Sequence, residues 1–116
     1  MQRDMDLIRL LLLEKEGAKS IDLSKYSMDQ KNYHLALLIE ADLLQGKVHY
    51  PSTKHTDIPD KVFVKRITWN GHEFLDKARN DTVWNKAKEI IKNKGASISI
   101  QAITIALEKA IALVMA

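Results

Sequence analysis

The sequence predicts an α+β fold: a winged helix-turn-helix with a two- to three-stranded hairpin sheet and a C-terminal helical extension. Three observations favour this fold. An apolar helical segment closes on Ala-Asp-Leu-Leu at residues 41–44, two short segments of β type follow it, and Thr-Trp-Asn-Gly at residues 68–71 opens another helix. Elements in this order are typical of a DNA-binding or protein-docking module. We predict a core over residues 1–79 and a C-terminal extension over residues 80–116 that mediates oligomerisation.

Composition limits the classes of function. The chain has 116 residues, of which 46% are hydrophobic and 28% charged, as expected for one globular domain. The net charge of +3 permits an anionic partner without requiring one. The absence of cysteine excludes disulfides, thiolate metal sites and cysteine nucleophiles. Arg3 and Asp6 interrupt the apolar N-terminal segment in a way that signal peptides do not, so we expect a cytoplasmic protein.

Two helices are predicted ahead of the hairpin. The first spans Arg3 to Glu16, where leucines widen the apolar stripe to more than one face and Gly17 ends the helix. The second runs from Met28 to about Ala41, because Ser27 and Gln30 fit a capping box at its start.

Shorter features lead into the hairpin. Ser20 to Leu23 is expected to form a small strand, followed by a turn or a short helix. Asp42 stands where helices often end on a left-handed glycine, a conformation that Asp tolerates better than most residues. The strands are predicted over Leu43 to Pro51 and Lys61 to Thr68, joined by a polar loop with two prolines. Alternation in the second strand predicts two faces, with Val62, Val64 and Arg66 on one and Phe63, Lys65 and Ile67 on the other.

Three further helices are predicted. Thr68 caps the first, which continues to about Arg79. Either Asp81 or Thr82 caps the second. The third, Ser99 to Ala116, is apolar on all sides. In the second of these helices Trp84, Ala87 and Ile91 share a face, and Gly95 ends the helix.

Three blocks of the sequence together resemble a known family. They are YHLALLIEADLL at residues 33–44, ITWNGHEFLDKARNDTVWNKAKE at residues 67–89, and the opening RDMDLIR at residues 3–9. Over nearly its whole length the chain resembles a family of uncharacterised bacterial and phage proteins, domain of unknown function 2513. The resemblance implies a winged-helix-like core and a bacterial or prophage origin, and it assigns no functional residues. Asp42 departs from the family pattern, in which Gly commonly follows the Ala that ends the helix.

The helix over residues 28–41 is one candidate DNA-binding surface, because the second helix of this motif lies in the major groove. Asn32 resembles a base reader, whereas Asp29 and Glu40 would repel phosphate. The alternative is a structural helix or a protein-docking surface. With Leu35, Leu38 and Ala41 pointing inward, the outward residues are Asp29, Asn32, Tyr33, Ala36, Leu37 and Glu40, and the nearby cations are Lys25 and Lys31.

The predicted hairpin is a second candidate surface, and it is more basic. A basic hairpin can follow a phosphate backbone without reading the base sequence. The alternative is a solvated hairpin whose lysines keep an edge strand from pairing with other chains. The cations on or beside the hairpin are Lys47, His49, Lys54, His55, Lys61, Lys65 and Arg66, against Asp57 and Asp60.

No catalytic or metal site is predicted. His72 and Glu73 begin like a zinc-protease motif, but position 76 is Asp, so the second imidazole is missing. His49 and His55 lie on the predicted hairpin without fixed geometry, whereas zinc needs three or four convergent ligands. The sequence has no nucleophile elbow and no glycine-rich phosphate loop. We therefore expect neither an enzyme nor a cofactor.

The C-terminal segment predicts self-association. Residues 97–116 carry only Glu108 and Lys109 as charges, and a helix apolar on all sides must be buried on more than one. One face can cover the domain, and the rest requires another copy of the chain. Membrane insertion is the alternative, but a Glu–Lys pair is costly in a bilayer, so no membrane contact is expected. The predicted interface comprises Ile100, Ile103, Leu107, Ala110, Ile111 and Val114, with Ile98, Ile105 and Leu113 on other faces.

Two functional hypotheses follow. The leading one is a non-enzymatic bacterial or prophage protein that forms a homo-oligomer and binds double-stranded DNA through the hairpin and the start of helix 28–41. The alternative is a protein-interaction module without DNA contact, in which Tyr33 and Leu37 form the docking surface.

Overall fold

The structure is a computed structural model that describes residues 1–94 and 99–115. Those residues form an α+β arrangement of five helices and one two-stranded antiparallel sheet. Gly95, the predicted end of the fourth helix, lies outside the described residues, as do Ile98 and Ala116. The elements are α1 (Met5–Glu16), α2 (Met28–Glu40), β1 (Leu44–His49), β2 (Lys61–Ile67), α3 (Trp69–Ala78), α4 (Asp81–Lys94) and α5 (Ile100–Val114).

The chain divides into two compact units. The first unit is Met1–His72 and the second is Glu73–Ala116. Residues 79–80, the predicted boundary, lie between the end of α3 and the start of α4.

Leucines of α1 supply much of the buried surface of the first unit. Leu7, Leu11 and Leu12 are almost fully buried, and each buried leucine contributes about 1.5–3 kcal/mol to stability. The carboxylate of Asp4 accepts the Leu7 N–H and caps the helix, which ends at Gly17 with φ 103°. The buried residues of α1 are not confined to one side of the helix, which confirms that it is covered on more than one face.

The start of α2 is closed by the capping box that its sequence predicts. The Gln30 N–H donates to the Ser27 hydroxyl at 3.1 Å, and the Ser27 N–H donates to the Gln30 side chain at 2.8 Å. One turn later the buried His34 ring accepts the Asp4 N–H at Nε2 (2.8 Å) and donates from Nδ1 to the Gln30 carbonyl (2.7 Å). This ring therefore joins the cap of α1 to the first turn of α2.

The segment between α1 and α2 contains no strand, so the predicted strand over Ser20 to Leu23 is wrong. The Ser24 N–H donates to the Asp22 carboxylate at 2.9 Å, a local turn that bends the chain where an extended strand would have to continue. The Ser24 side chain and N–H hold the pKa of Asp22 below its usual value. A four-residue strand with no neighbouring strand has no partner for its backbone groups.

The hairpin confirms the two predicted strands, but it contains a bulge that the alternation of residues does not reveal. Gln45 pairs with Arg66 and Gly46 with Val64, so Lys65 is an extra residue in β2. The bulge reverses the alternation, because Ile67 is buried and Arg66 is exposed. The predicted faces are therefore right for residues 62–65 and wrong for Arg66 and Ile67.

The turn before β1 and the cap of α3 both follow the predictions. Asp42 adopts a left-handed conformation with φ 61°, as its position after the helix-ending Ala suggests. The Thr68 hydroxyl accepts the Gly71 N–H at 3.0 Å, which caps α3.

The second unit is built mainly from α4 packed against α5. The cap of α4 is Asn80, whose side-chain oxygen accepts the Val83 N–H at 3.0 Å, so the prediction of Asp81 or Thr82 as the cap is wrong. Trp84 is buried and meets Phe74 edge to face, with ring centroids 6.4 Å apart. The predicted face of Trp84, Ala87 and Ile91 is confirmed, since all three side chains are buried.

Candidate nucleic-acid interface

The two faces of the β-hairpin differ sharply in chemistry. Direct pairing places Lys47 opposite Phe63 and His49 opposite Lys61, and all four residues are exposed. We call this side the outer face: Gln45, Lys47, His49, Lys61, Phe63, Lys65 and Arg66. The opposite side consists of the buried or half-buried residues Leu44, Gly46, Val48, Val62, Val64 and Ile67.

The outer face is strongly cationic. Lys47, Lys61, Lys65 and Arg66 are all exposed on it. The bulge is the structural cause of this density, because it places two consecutive cations, Lys65 and Arg66, at the surface where strict alternation would turn one inward. Such a strip of positive charge on a protruding ribbon can follow a polyanion.

The carboxylate at the tip end of the hairpin is already paired. His49 Nδ1 lies 2.7 Å from the Asp60 carboxylate, and this hydrogen bond holds the pKa of Asp60 below its usual value. The Asp60 N–H also donates to the His49 carbonyl at 3.0 Å. The contact with His49 therefore occupies one oxygen of the Asp60 carboxylate.

A shallow depression lies beside the end of β2. Its volume is about 620 Å³, and its lining includes Lys15, Lys65, Arg66 and Trp69 together with one carboxylate, that of Glu16. The Trp69 side chain is 76% exposed, which is unusual for the largest aromatic residue.

A second depression of about 290 Å³ lies on the hairpin itself. It is lined by Lys47, Phe63 and Lys65 together with their strand neighbours. Phe63 is 62% exposed. Lys65 borders both depressions, so it shares one with Trp69 and the other with Phe63.

The structure does not place Asn32 where a base reader would stand. It is only 9% exposed, and its amide donates to the carbonyls of Pro59 and Asp60 at 3.4 Å each. Ala36 is buried as well, so the predicted outward set is wrong at Asn32 and Ala36, and Ala41, which was predicted to point inward, is exposed. Asn32 is buried because the end of the hairpin loop, at Pro59 and Asp60, lies against it.

The other predicted DNA-binding residues are divided between regions. Lys25 lies on the segment between α1 and α2, with its ammonium 5.1 Å from the Tyr26 ring. Lys31 is half-buried, as is Tyr33, whose ring packs edge-on against His34 with centroids 5.5 Å apart. Lys54 is exposed on the loop after β1. Only Lys61 and Lys65 of the predicted set meet on the outer face.

Half of the predicted oligomer interface is buried within a single chain. Ile103, Leu107 and Ala110 each have 0% exposure on the helix that packs against α4. These three side chains are therefore already buried in the single chain and are not available to contact a second copy. Of the remaining predicted interface residues, Ile100 and Ile111 are half-buried and Val114 is exposed.

The histidines remain scattered. In the ranges 1–94 and 99–115, no three His, Cys, Asp or Glu side chains are close enough to hold a metal ion. Within the same part of the chain, no helix combines the length and apolar character needed to cross a membrane.

Sequence reasoning missed the two exposed aromatic residues. The sequence does contain a signal for Phe63. Alternate residues of a strand point to the same face, so Phe63 lies on the same face as Lys61 and Lys65 and is an apolar residue on a polar face. For Trp69 the signal was weaker, since the first turn of an isolated helix does not reveal which side faces solvent. Lys15 is distant from the hairpin in the sequence, and only the folded structure brings it beside Lys65 and Trp69.

Comparison with known proteins gives two matches. A family model described as hypothetical protein DUF2513 matches residues 2–97. A protein of Haemophilus influenzae, described as uncharacterised, is 36% identical over 110 residues, covering 89% of this chain and 89% of that protein. No solved structure matches the chain. Neither description names a ligand or an activity, so neither assigns a role to any residue of the hairpin.

Proposed function

The chain belongs to the family described as hypothetical protein DUF2513, and on that premise we propose that it is a non-enzymatic bacterial or prophage protein whose β-hairpin binds DNA. The observation that carries the proposal is the outer face, where Lys47, Lys61, Lys65 and Arg66 project to solvent from one ribbon. Each cation that neutralises a phosphate releases about one condensed counterion, which drives binding at low salt.

The hairpin is favoured over α2 as the contact surface. The exposed residues of α2 include the acidic Asp29 and Glu40, and Asn32 is engaged with the hairpin loop. Contacts from a basic ribbon position a protein on the backbone without reading bases. The binding we propose is therefore insensitive to base sequence.

We further propose that the first unit is a winged helix in which an irregular segment, residues 17–27, stands in place of the middle helix. Supporting this is the order α1, α2 and hairpin, together with the packing of α2 on α1 and on both strands. The hairpin would then be the wing of that fold.

The test is the salt dependence of binding to a labelled duplex, measured by fluorescence anisotropy for the wild type and a double charge reversal. Lys61→Glu/Lys65→Glu should lower the affinity at least ~10-fold at low salt and reduce the slope of log K against log salt by about 2. The matched control is Lys19→Glu/Lys92→Glu, which changes the net charge equally at two exposed lysines outside the hairpin.

Two results would overturn the proposal. One is no binding of wild-type protein to any DNA, duplex or single-stranded, at low salt. The other is an equal loss of affinity in the hairpin variant and the control, which would mean that net charge rather than the outer face governs binding.

A second candidate function, self-association without DNA binding, is favoured by the end of α5. Leu113, Val114 and Met115 are exposed apolar residues there, and Ile105 is half exposed. Light scattering over a range of concentrations tests it, since self-association requires a mass above the 13.2 kDa of one chain. Leu113→Lys should lower that mass and Gln101→Lys, on an already polar exposed position, should not. A wild-type protein that stays monomeric at every concentration rules this function out.

A further inference from the structure

We propose that Phe63 and Trp69 stack against unpaired bases, so that the hairpin prefers single-stranded DNA to duplex. This inference rests on the proposed function, because it assigns a form of DNA to the same surface. The track runs from Lys47 and Phe63 through Lys65 to Arg66 and Trp69, so it contains three cations and two aromatic rings.

The arrangement fits what a single strand requires. A single strand presents phosphates and base faces together, and its binding sites pair a positive groove with aromatic stacking platforms. Lys47 lies directly across the hairpin from Phe63, and Lys65 borders both depressions. A phosphate held by Lys65 would therefore lie beside two depressions, each of which contains an aromatic ring that an adjoining base can stack on.

Duplex DNA would use the cations but not the rings. Its base faces are stacked on one another, so an exposed ring meets only base edges, sugars and phosphates unless a base step is opened. Phe63 at 62% and Trp69 at 76% exposure would then keep most of their apolar surface in water. Stacking on an unpaired base covers that surface without opening a step.

An apolar protein partner fits this surface less well. Covering the two rings with such a partner would also take Lys47, Lys65 and Arg66 out of water without supplying anions to pair them. A nucleic acid supplies the phosphates and the apolar faces from the same molecule. Charge complementarity therefore favours the nucleic acid.

The test compares an oligonucleotide of about 16 nucleotides with its duplex, a length that covers the largest site sizes of small single-strand-binding domains. Wild-type protein should bind the single strand more tightly. Phe63→Ala and Trp69→Ala should each weaken single-strand binding roughly 5- to 150-fold, the range expected for one lost base stack. Duplex affinity should change little. Trp69→Phe should retain most of the single-strand affinity, and Met28→Ala, at another exposed apolar residue, should retain all of it.

Fluorescence provides a readout of stacking that is independent of affinity. Trp84 is only 2% exposed, so a Trp84→Phe variant leaves Trp69 as the fluorophore while keeping an aromatic ring in the core. Titration of this variant with the single strand should quench Trp69 strongly, and titration with the duplex should quench it weakly.

The outcomes separate the inference from the function on which it rests. Equal or tighter binding of the duplex, or an equal effect of the alanine variants on both forms, overturns the single-strand preference and leaves DNA binding by the hairpin intact. No binding of either form at low salt overturns both. Tighter binding of an RNA strand of the same sequence overturns the assignment to DNA.

Discussion

The hydroxyl of Thr68 donates to the carbonyl oxygen of Asp42 at 2.6 Å, joining the residue that follows β2 to the turn that leads into β1. The Thr68 N–H donates to the Leu43 carbonyl at 3.1 Å, and the Asn70 amide donates to the Asp42 carboxylate at 3.1 Å. These bonds hold Asp42 in its left-handed turn and bring the first turn of α3 against the start of β1. The base of the hairpin is thus closed by side chains as well as by the strand ladder.

Thr68→Val should destabilise the protein by about 1–2 kcal/mol, because it keeps the side-chain shape but removes the donor to Asp42 and the acceptor for the Gly71 N–H. The free energy of unfolding from urea titration measures the effect. Thr68→Ser retains the hydroxyl and should lose less than half as much. A valine variant as stable as the wild type would show that the hydroxyl does not close the hairpin.

Gly71→Ala should destabilise by about 1–3 kcal/mol even though alanine favours helices, because an added Cβ would overlap the Leu43 carbonyl oxygen and crowd the Ile67 side chain. Gly17→Ala is the comparison. The Cβ that this substitution adds would meet nothing within 4 Å. The only expected loss of stability is the strain of an alanine held at φ 103°, on the order of 1 kcal/mol. Unfolding titrations that rank Gly17→Ala as the more damaging change would contradict the close approach of α3 to β1.

His34→Ala should cost about 2–4 kcal/mol, since it empties a buried site and leaves the Asp4 N–H without its acceptor. Hydrogen exchange should also show faster exchange at the Asp4 amide than in the wild type. His55→Ala, at an exposed histidine of the hairpin loop, should change stability by less than about 0.5 kcal/mol. Equal effects of the two substitutions would deny the link between α1 and α2.

The decrease in the free energy of unfolding at acid pH should depend in part on the contact between Asp60 and His49. The pKa of Asp60 is lower in the folded than in the unfolded chain, so its contribution is present above about pH 4 and is lost as pH falls through the folded pKa. His49→Ala removes the largest cause of the lowering, so NMR titration of the Asp60 carboxyl should give a pKa closer to that of an ordinary Asp. Asp57→Asn is the control and should leave the Asp60 titration unchanged.

Leu107→Ala should destabilise by about 2–5 kcal/mol, because this side chain is fully buried on a helix that packs against another helix of the same chain. Leu113→Ala, 67% exposed six residues later, should change the unfolding free energy by less than about 0.5 kcal/mol. The loss at Leu107 should be the same at every protein concentration. A loss that grows with dilution would place Leu107 in an interface between chains instead.

Local signals predicted the helices and strands well, because their determinants lie within a few residues of one another. Ser27 and Gln30 cap α2 as a local box, and Gly17 and Asp42 take the left-handed conformations that their side chains permit. The error at Asn80 arose from a competition among adjacent capping residues that spacing alone does not resolve. The false strand at residues 20–23 arose because a short β-type pattern says nothing about whether a partner strand exists.

The sequence by itself determined the α+β order of elements, their caps and the basic character of the hairpin, since these depend on periodicity and short-range hydrogen bonds. Only the tertiary structure decided which side of each element faces water. The bulge at Lys65 turned Arg66 outward and Ile67 inward, and the hairpin loop covered Asn32. Packing against α4 buried Ile103, Leu107 and Ala110 of α5. The apolar pattern of α5 alone is equally consistent with packing of these residues against a second chain. Burial depends on which surfaces meet in space, and residues distant in the chain decide that.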